Sequence, residues 1–318
     1  MRLGSSLATA LVAGACEGYT HCDSQPAAAL AQLPVRLSDT GLYSAPEVLA
    51  EDVLSYTPRF ELWSDGAGKR RFMRIPSGAR IDTSNPDDWQ FPVGTQLWKE
   101  FTSDGVRVET RLLQKLASEW AALAYVWTED GSDAIASPQG ASNARGTQND
   151  VPSAEQCFAC HAGRSSRVLG VSLIQLAYSA EPEQQSVETL QGRALLSDPV
   201  PALLDLPGNE TAADALGYLH ANCGACHNSD RPDLSGARCF DPQNDLDFWL
   251  RADTLDSVRA TPALRSSKAP ALVPGLPSLS LVVRLMSRRG DAPHMPPLAS
   301  EQVDQRGVAL IRDFIEAL

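Results

Sequence analysis

A chain of 318 residues is long enough for two domains and for a substantial buried core. Its 39 Asp and Glu residues outnumber 27 Lys and Arg residues, which gives a formal net charge of −12. This charge repels the phosphates of nucleic acids and anionic lipid head groups, so no nucleic-acid partner is expected. The hydrophobic fraction of 43% is typical of a globular protein, and no interior run is long and apolar enough to cross a bilayer.

The first residues resemble an export leader. Arg2 precedes an apolar run over residues 7–15, and small residues stand directly before Cys16. These features predict a leader at residues 1–15. Two fates stay open for it, namely cleavage after Ala15 or attachment of a lipid to Cys16 as in bacterial lipoproteins. A native buried N-terminal helix is the alternative interpretation.

The next residues predict a linker followed by a β module. Residues 17–40 are rich in Ala, Gln and Ser without sustained periodicity, as in a flexible tether, so we place a linker at 16–45. Beyond residue 58, aromatic and β-branched residues alternate with polar ones between turn signals such as Ser103-Asp-Gly105. This pattern predicts an antiparallel β module at 46–150. We interpret its charged residues as a solvated face, and these include Arg70, Arg71 and Arg74.

Two Cys-x-x-Cys-His motifs dominate the cysteine pattern. The first motif is Cys157-Phe-Ala-Cys160-His161 and the second motif is Cys223-Gly-Ala-Cys226-His227. A random order of this composition would contain about 0.002 copies of one such motif, so two copies do not arise by chance. Two thiols three positions apart on a helical turn can each add to a vinyl group of a haem, and the adjacent His can bind the iron. The motifs therefore predict two covalently bound haem c groups, with His161 and His227 as iron ligands.

Two other interpretations of these cysteines remain. A structural zinc site can join two Cys-x-x-Cys pairs, but such pairs are usually separated by about 15–20 residues. Here residues 161–222 separate Cys160 from Cys223. A thioredoxin-like dithiol would require its motif to follow a strand in a βαβ unit. Haem c is the interpretation that fits the His after each pair.

The remaining cysteines bear on the compartment. Cys16, Cys22 and Cys239 are an odd number for an oxidising environment. A lipid on Cys16 would leave Cys22 and Cys239 to pair, whereas a Cys16–Cys22 disulfide or a free thiol are alternatives. Because bacteria attach haem covalently outside the cytoplasm, we expect a periplasmic or cell-envelope protein. Its only expected membrane contact is through a lipid on Cys16.

Beyond the β module, the pattern predicts mainly helices. Ser153 begins a capping box before the first motif, and Thr211 is the predicted cap of a helix leading into the second. Further helices are predicted at residues 184–196, at residues 278–289 and after a cap at Ser300. The first haem-binding segment is thus expected at 151–204.

At this point the C-terminal third resembles a bacterial class I cytochrome c domain. An opening helix leads into the second motif, and Pro293-His-Met295-Pro-Pro297 precedes a closing helix. The resemblance covers residues 205–318. It implies an iron held between His227 and Met295, with Cys223 and Cys226 in thioether bonds.

The chain from about Phe60 onward is also similar to a group of exported bacterial di-haem c-type cytochromes. The segments that carry this likeness are Phe60-Glu-Leu-Trp-Ser-Asp-Gly66, Trp98-Lys-Glu-Phe101 and Tyr218-Leu-His-Ala-Asn-Cys223. The fold class expected from pattern and resemblance is an α+β multidomain protein. An N-terminal antiparallel β module precedes a mainly α-helical haem-binding region that ends in the class I cytochrome c domain.

The second axial ligands differ in how well the sequence indicates them. Met295 lies in a Pro-flanked loop with little packing use for a thioether, whereas Met286 lies on an apolar helical stripe and is assigned to the core. His294 is the alternative to Met295. For the first haem, the candidates are His220, Met73 and, less favoured, His21, or an open position.

These residues favour an electron carrier over an enzyme. Met/His ligation raises the reduction potential of a haem and bis-His ligation generally lowers it. Two haems with different ligands would therefore have different reduction potentials. An acidic protein suits transient docking to redox partners with a basic patch. One alternative is a haem-dependent oxidoreductase whose open first haem acts on peroxide, oxygen or a sulfur compound. Another is a cytochrome module that docks a dehydrogenase or a surface carbohydrate.

Overall fold

The computed structural model describes residues 25–231, 245–290, 292–297 and 300–318. The strands are β1 (Tyr43–Ala45), β2 (Val48–Leu49), β3 (Leu54–Ser55), β4 (Gly68–Arg74), β5 (Gln96–Ser103), β6 (Val106–Lys115), β7 (Trp120–Trp127) and β8 (Ala134–Ala136). The α-helices are α1 (Ala27–Leu30), α2 (Ala154–His161), α3 (Leu173–Leu176), α4 (Val187–Gly192), α5 (Glu210–Asn222), α6 (Pro262–Ser266), α7 (Leu281–Met286) and α8 (Gln305–Glu316). Short 3-10 turns occur at Leu37–Thr40, Ala144–Gly146, Ala252–Thr254, Val258–Ala260 and Pro277–Leu279.

A six-stranded antiparallel sheet organises the described residues. Its strand order is β3-β4-β5-β6-β7-β8, so every strand pairs with its neighbour in the chain. The turn between β5 and β6 holds Asp104 and Gly105 at φ of 51° and 76°, which Gly adopts at no steric cost. The alternating segments that predicted strands lie in β4 to β7. Alternation matters here because successive side chains point to opposite faces.

One face of the sheet, the N-terminal face, is covered by the residues that precede β1. Ala29, Leu37 and Leu42 are at most 1% exposed and pack in one cluster with Trp98 and Leu112. The Gln25 side-chain amide also donates to the Ala122 carbonyl at 2.9 Å. The tether expected over residues 17–40 is therefore wrong from residue 25 on, because apolar side chains here are spaced to reach the sheet. The residues before it lie outside the described part of the chain.

The opposite face, which we call the motif face, is covered by α2, α3 and α4. Met73 and Leu97 from the sheet share an apolar cluster with Phe158 of α2, Leu176 of α3 and Leu190 of α4. Burial of such side chains contributes about 1.5–3 kcal/mol each. The first motif is thereby held against the sheet.

A second apolar cluster joins α5, α7 and α8. Leu216 and Leu219 of α5 pack with Met286 of α7 and with Ile311 and Phe314 of α8. Because α8 crosses α5 closely, a Cβ on Gly307 would lie 2.4 Å from the Tyr218 ring. This cluster supports the helix that leads into the second motif.

The fold class predicted from the sequence is wrong. The described residues are organised around the six-stranded sheet, and beyond residue 151 only α5 and α8 exceed eight residues. The helix predicted at residues 184–196 is limited to α4, and the one at residues 278–289 to α7. Ala194 and Gly290, at φ of 57° and 76°, take left-handed conformations that do not continue a helix. The region expected to be mainly α-helical is thus largely irregular, and no class I cytochrome c domain is assigned.

No helix in the described part of the chain is long and apolar enough to span a bilayer. Cys16, on which the predicted lipid would be attached, lies outside the described residues, as do Cys22 and Cys239. The predicted leader and anchor therefore stay predictions.

Candidate functional site

The first motif lies on α2, as its spacing predicts. The Ser153 side chain accepts from the Gln156 N–H, and the Gln156 side chain accepts from the Ser153 N–H, which confirms the capping box. Cys157 and Cys160 are three positions apart on this helix and therefore share one side of it. Phe158 and Ala159, between them, are buried. The apolar pair thus fixes α2 while the cysteines remain partly exposed.

His161, at the end of α2, is oriented by a backbone carbonyl. Its Nδ1 lies 2.6 Å from the carbonyl oxygen of Arg167. Since a carbonyl only accepts, Nδ1 carries the proton and the lone pair is on Nε2. Burial lowers the pKa of His161 to about 4, so the ring is neutral at pH 7. Metal-binding His residues usually show this arrangement, in which one ring N–H donates to a carbonyl and the other nitrogen binds.

The second motif forms a helical turn at the end of α5. Asn209, not Thr211, caps this helix, because its side chain accepts from the Ala212 N–H at 3.0 Å. After the helix, the N–H groups of Cys226 and His227 donate to the Cys223 carbonyl at 3.1 and 2.8 Å. Cys223 and Cys226 are therefore on one side of a turn, as in the first motif.

His227 is surrounded by the segment that follows the gap in the described residues. It is 8% exposed, and its ring stands edge-on to Phe248 with centroids 5.8 Å apart. The Phe248 N–H donates to the His227 carbonyl at 2.8 Å. The second motif is thus held by α5 on one side and by residues 245–250 on the other.

The two motifs pack directly against each other. The Cys226 thiol donates to the Ala159 carbonyl inside the first motif at 4.0 Å, and it lies close enough to Cys160 to lower the pKa of that thiol. A Cβ on Gly163 would lie 1.7 Å from the Ala225 carbonyl oxygen. The Asn228 amide donates to the carbonyls of Gly163 and Ala225, both at 3.2 Å. Sequence spacing alone did not indicate this contact.

Arg164, next to the first motif, ties it to the second. It is 1% exposed, and its guanidinium donates to the Asn228 side chain at 3.3 Å. The same group pairs with Asp230 at 3.3 Å and with Asp88 at 3.7 Å. It also lies over the Trp249 ring, 4.4 Å from the centroid. A buried cation with these partners fixes the two motifs relative to each other.

The thiols differ in their acidity. Burial raises the pKa of Cys157 and of Cys223 to about 12. The neighbouring Cys226 thiol lowers the pKa of Cys160. All four motif cysteines are free. Redox-active dithiols have an acidic first cysteine, which is the opposite of this pattern, so the geometry gives the dithiol interpretation no support.

The residues around the two motifs differ in how well they fit a metal ion and a haem. In the described part of the chain, no three His, Cys, Asp or Glu side chains are grouped so that they could hold a metal ion. This gives the zinc interpretation no support. A haem iron needs only axial protein ligands, so the finding does not bear on haem. Paired thiols on helical turns, and a His161 ring with its lone pair set on Nε2, fit a covalent haem.

Met295 lies in the loop between α7 and α8. Its N–H donates to the Leu285 carbonyl at 3.2 Å, and its carbonyl accepts from Arg289 at 3.4 Å. Neither hydrogen bond reaches the second motif. Met286 is 5% exposed in the cluster of α5, α7 and α8, which confirms its assignment to the core. The His294 ring is hydrogen-bonded to the Ala292 carbonyl at 2.9 Å.

The structure places the other candidate ligands in packed surroundings. The Nδ1 of His220 accepts from the Leu250 N–H at 3.1 Å, and its ring lies 4.3 Å from that of Trp249. Burial lowers the pKa of His220 to about 3. Met73 is fully buried in the cluster of the motif face. His21 lies outside the described residues.

The segments at residues 60–66 and 218–223, which carry the family likeness, meet at α5. The Asn222 side chain accepts from the Trp63 N–H at 2.7 Å and donates to the Glu61 carbonyl at 3.2 Å. The Phe60 ring covers Gly217, where a Cβ would lie 2.2 Å from it. The Asp65 carboxylate accepts hydrogen bonds from the loop before α8. One of them is from the Gln302 N–H, at 2.8 Å. This segment therefore links the sheet to the helix that leads into the second motif.

Sequence reasoning missed a group of cations on the motif face. Arg71 was expected on a solvated face, yet its side chain is 5% exposed, whereas that of Arg70 is 55% exposed. Arg70 and Arg71 are adjacent in β4 and so point to opposite faces. Because side chains alternate along β4, the sequence could have shown that Arg70 and Arg71 point to opposite faces. It does not show which of the two faces is covered.

Comparison of the chain with models of protein families, with curated proteins and with solved structures finds no match.

Proposed function

We propose that this chain is a di-haem c-type cytochrome that carries electrons between redox partners outside the cytoplasm. The observation that carries the proposal is the contact between the two motifs, in which the Cys226 thiol donates to the Ala159 carbonyl and the Asn228 amide donates to carbonyls of both motifs. Two helical turns of identical pattern, brought together from distant parts of the chain, would attach two cofactors at neighbouring thiols. An electron could then pass from one to the other within the protein.

Each residue of the motifs has a defined role in this proposal. Cys157 and Cys160 would hold the first haem, and Cys223 and Cys226 the second. His161 would bind the iron of the first haem. His227 and Met295 would bind the iron of the second haem. When bound, haem iron supplies reversible one-electron exchange. Haem is thus the expected cofactor in two covalent copies.

The surrounding residues keep this arrangement rigid. The Arg167 carbonyl holds the His161 ring at one orientation, and Asn228 binds carbonyls of both motifs. Arg164 pairs with carboxylates near each motif. Such rigidity suits an electron carrier. If the iron ligands do not move when the iron changes oxidation state, electron transfer requires little rearrangement of the protein.

The partners follow from charge. A net charge of −12 favours redox proteins that present a basic patch. Such docking is transient, and its rate falls as ionic strength rises. We further propose a periplasmic or cell-envelope location, because that is where haem is attached covalently.

The test begins with the cofactor. Protein purified from a host that attaches haem c should retain two haems per chain after acid–acetone extraction. Cys226→Ala should lose one of them, and Cys157→Ala the other. Each single-haem variant should exchange one electron per chain in a redox titration, against two in the native protein. Iron-free protein, or haem that is extracted, would refute the proposal.

An enzyme with an open first haem is the second candidate. It is favoured by one observation. His220, the candidate ligand nearest to the first motif in sequence, accepts from the Leu250 N–H and packs against the Trp249 ring. Carbon monoxide distinguishes the two functions. Stoichiometric binding to one reduced haem, with turnover of peroxide that Cys157→Ala abolishes, would establish the enzyme. A reduced spectrum that carbon monoxide leaves unchanged would establish the carrier.

A further inference from the structure

Four cations lie close together on the motif face of the sheet. We call this set the cationic cluster, and its members are Lys69, Arg71, Lys99 and Arg111. Arg71, Lys99 and Arg111 stand directly opposite one another on β4, β5 and β6. Like charges at directly opposite positions destabilise a sheet. The arrangement therefore needs a compensating group.

The chain itself supplies only part of the compensation. Glu61 pairs with Arg71 at 2.9 Å and with Lys69 at 3.8 Å. Glu109 binds Arg111 through two hydrogen bonds of 2.9 and 2.6 Å. Asp304 also acts electrostatically on Lys69. These carboxylates serve Lys69, Arg71 and Arg111, and none of them forms an ion pair with Lys99.

Lys99 is the cation that lacks a carboxylate partner within the described residues. Its ammonium lies 4.8 Å from the centroid of the Phe101 ring, and no carboxylate oxygen there is within 4 Å of it. Burial, Arg71 and Arg111 lower its pKa well below the ordinary value. A bound anion would remove this penalty, because it would stabilise the charged form.

The cationic cluster faces the first motif. Arg111 acts electrostatically on the thiols of Cys157 and Cys160, and Lys99 and Arg111 act on the His161 ring. Helix α2, which carries these residues, packs on the same face through Phe158. An anion at the cluster would therefore be adjacent to whatever the first motif holds.

We propose that the cationic cluster binds the two propionate carboxylates of the first haem, with Lys99 as a direct partner. This inference rests on the proposed function, since it assumes a haem at the first motif. A haem carries two propionate carboxylates, and one of them would give Lys99 the anionic partner that it lacks within the described residues. Hydrogen bonds between cations and carboxylates are the strong ones among those that proteins make. The sheet would thus orient the first cofactor, while the motif attaches it.

The test is Lys99→Met in the full-length di-haem protein. Lys99 has no ion pair in the described structure, so its removal leaves no buried carboxylate alone. Resonance Raman spectroscopy reads the propionate bending bands directly. We expect the bands of one haem to shift and the reduction potential of that haem to fall, because a nearby cation favours the reduced iron. Lys99→Arg should keep the native bands.

Lys115→Met is the matched control. Lys115 lies on the same face of β6, over Trp120, and no charged neighbour influences its pKa. It should leave both the bands and the potentials unchanged. Equal band shifts in Lys115→Met and Lys99→Met would contradict the proposal, and so would native bands in Lys99→Met.

Two further outcomes separate this inference from its alternatives. If inorganic phosphate raises the melting temperature of the native protein saturably and Lys99→Met abolishes the effect, the cluster binds an anion from solution and the inference is wrong. Protein without covalent haem would overturn both proposals. Two covalent haems with unshifted propionate bands would overturn only this one.

Discussion

Gly163, just after the first motif, lies against the carbonyl of Ala225 inside the second, and the gap is too small for any side chain. A Cβ at residue 163 would stand 1.7 Å from that oxygen. The backbones of the two motifs therefore touch without an intervening side chain. The Asn228 amide, which donates to both carbonyls, closes the contact.

Gly163→Ala should accordingly push the motifs apart. Overpacking of this kind costs about 1–3 kcal/mol, which denaturant unfolding would measure. Electron exchange between the two proposed haems should slow as well. Gly192→Ala is the control, because nothing lies within 4 Å of a Cβ added there. A Gly163→Ala protein as stable as Gly192→Ala would contradict the observed contact.

Arg164→Met tests the second link between the motifs. Its side chain is 2% exposed and pairs with Asp88 and Asp230. Removal of a buried partner leaves charges uncompensated, so we expect a loss of about 3 kcal/mol in the free energy of unfolding. Arg36→Met removes a pair with Asp133 from a side chain that is 59% exposed. That change should cost less than about 1 kcal/mol, and a similar loss in both variants would show that Arg164 is no link.

Met295→Ala tests the predicted second ligand of one haem. If Met295 binds the iron beside His227, its loss should remove the iron–thioether charge-transfer band of the oxidised protein. The potential of that haem alone should fall, because a thioether ligand raises it. Met286→Ala should keep the band and lower stability by about 2–5 kcal/mol, since Met286 is a core residue. Loss of the band in Met286→Ala instead would reverse the assignment.

His220 makes stability depend on pH. Its pKa is about 3 in the folded protein and 6.5 when unfolded, so between these values the unfolded chain binds more protons. Stability should therefore fall as the pH drops below 6.5, by about 2 kcal/mol between pH 7 and pH 5. The charge of Arg164 also lowers the pKa of His220, and this guanidinium stays protonated throughout.

His220→Gln should remove this part of the pH dependence. Its side-chain oxygen can still accept from the Leu250 N–H, but it does not titrate. Denaturant unfolding at pH 7 and pH 5 gives the comparison. Equal losses of stability in the native protein and the variant would show that His220 is not buried in its neutral form.

Local features were predictable where they depend on residues close in the chain. The capping box of Ser153 and Gln156 is set by residues three positions apart, and it is present. Helix boundaries were less predictable. The cap expected at Ser300 is instead Asp304, whose side chain accepts from the Gly307 N–H at 2.9 Å. Several polar residues near a helix start can serve, and tertiary packing selects among them.

The fold class failed for a related reason. Short apolar segments at α4 and α7 have helical spacing, but each helix is only six residues long, and a left-handed residue follows it at Ala194 or Gly290. Periodicity detects a helix and not its length. The prediction of a flexible tether was wrong for residues 25–40 for a different reason. Isolated apolar residues can cover a sheet face without any periodicity in the sequence.

The sequence by itself identified the residues that we propose to attach the haems. Each Cys-x-x-Cys-His spacing spans one helical turn, and a turn is formed by local hydrogen bonds. Only the tertiary structure decided that the two motifs touch, that Arg71 is buried while Arg70 is exposed, and that Lys99 faces the first motif. These relationships join residues distant in the chain and depend on which face of the sheet α2 covers. No local pattern encodes that choice, because both faces of the sheet carry side chains that pack.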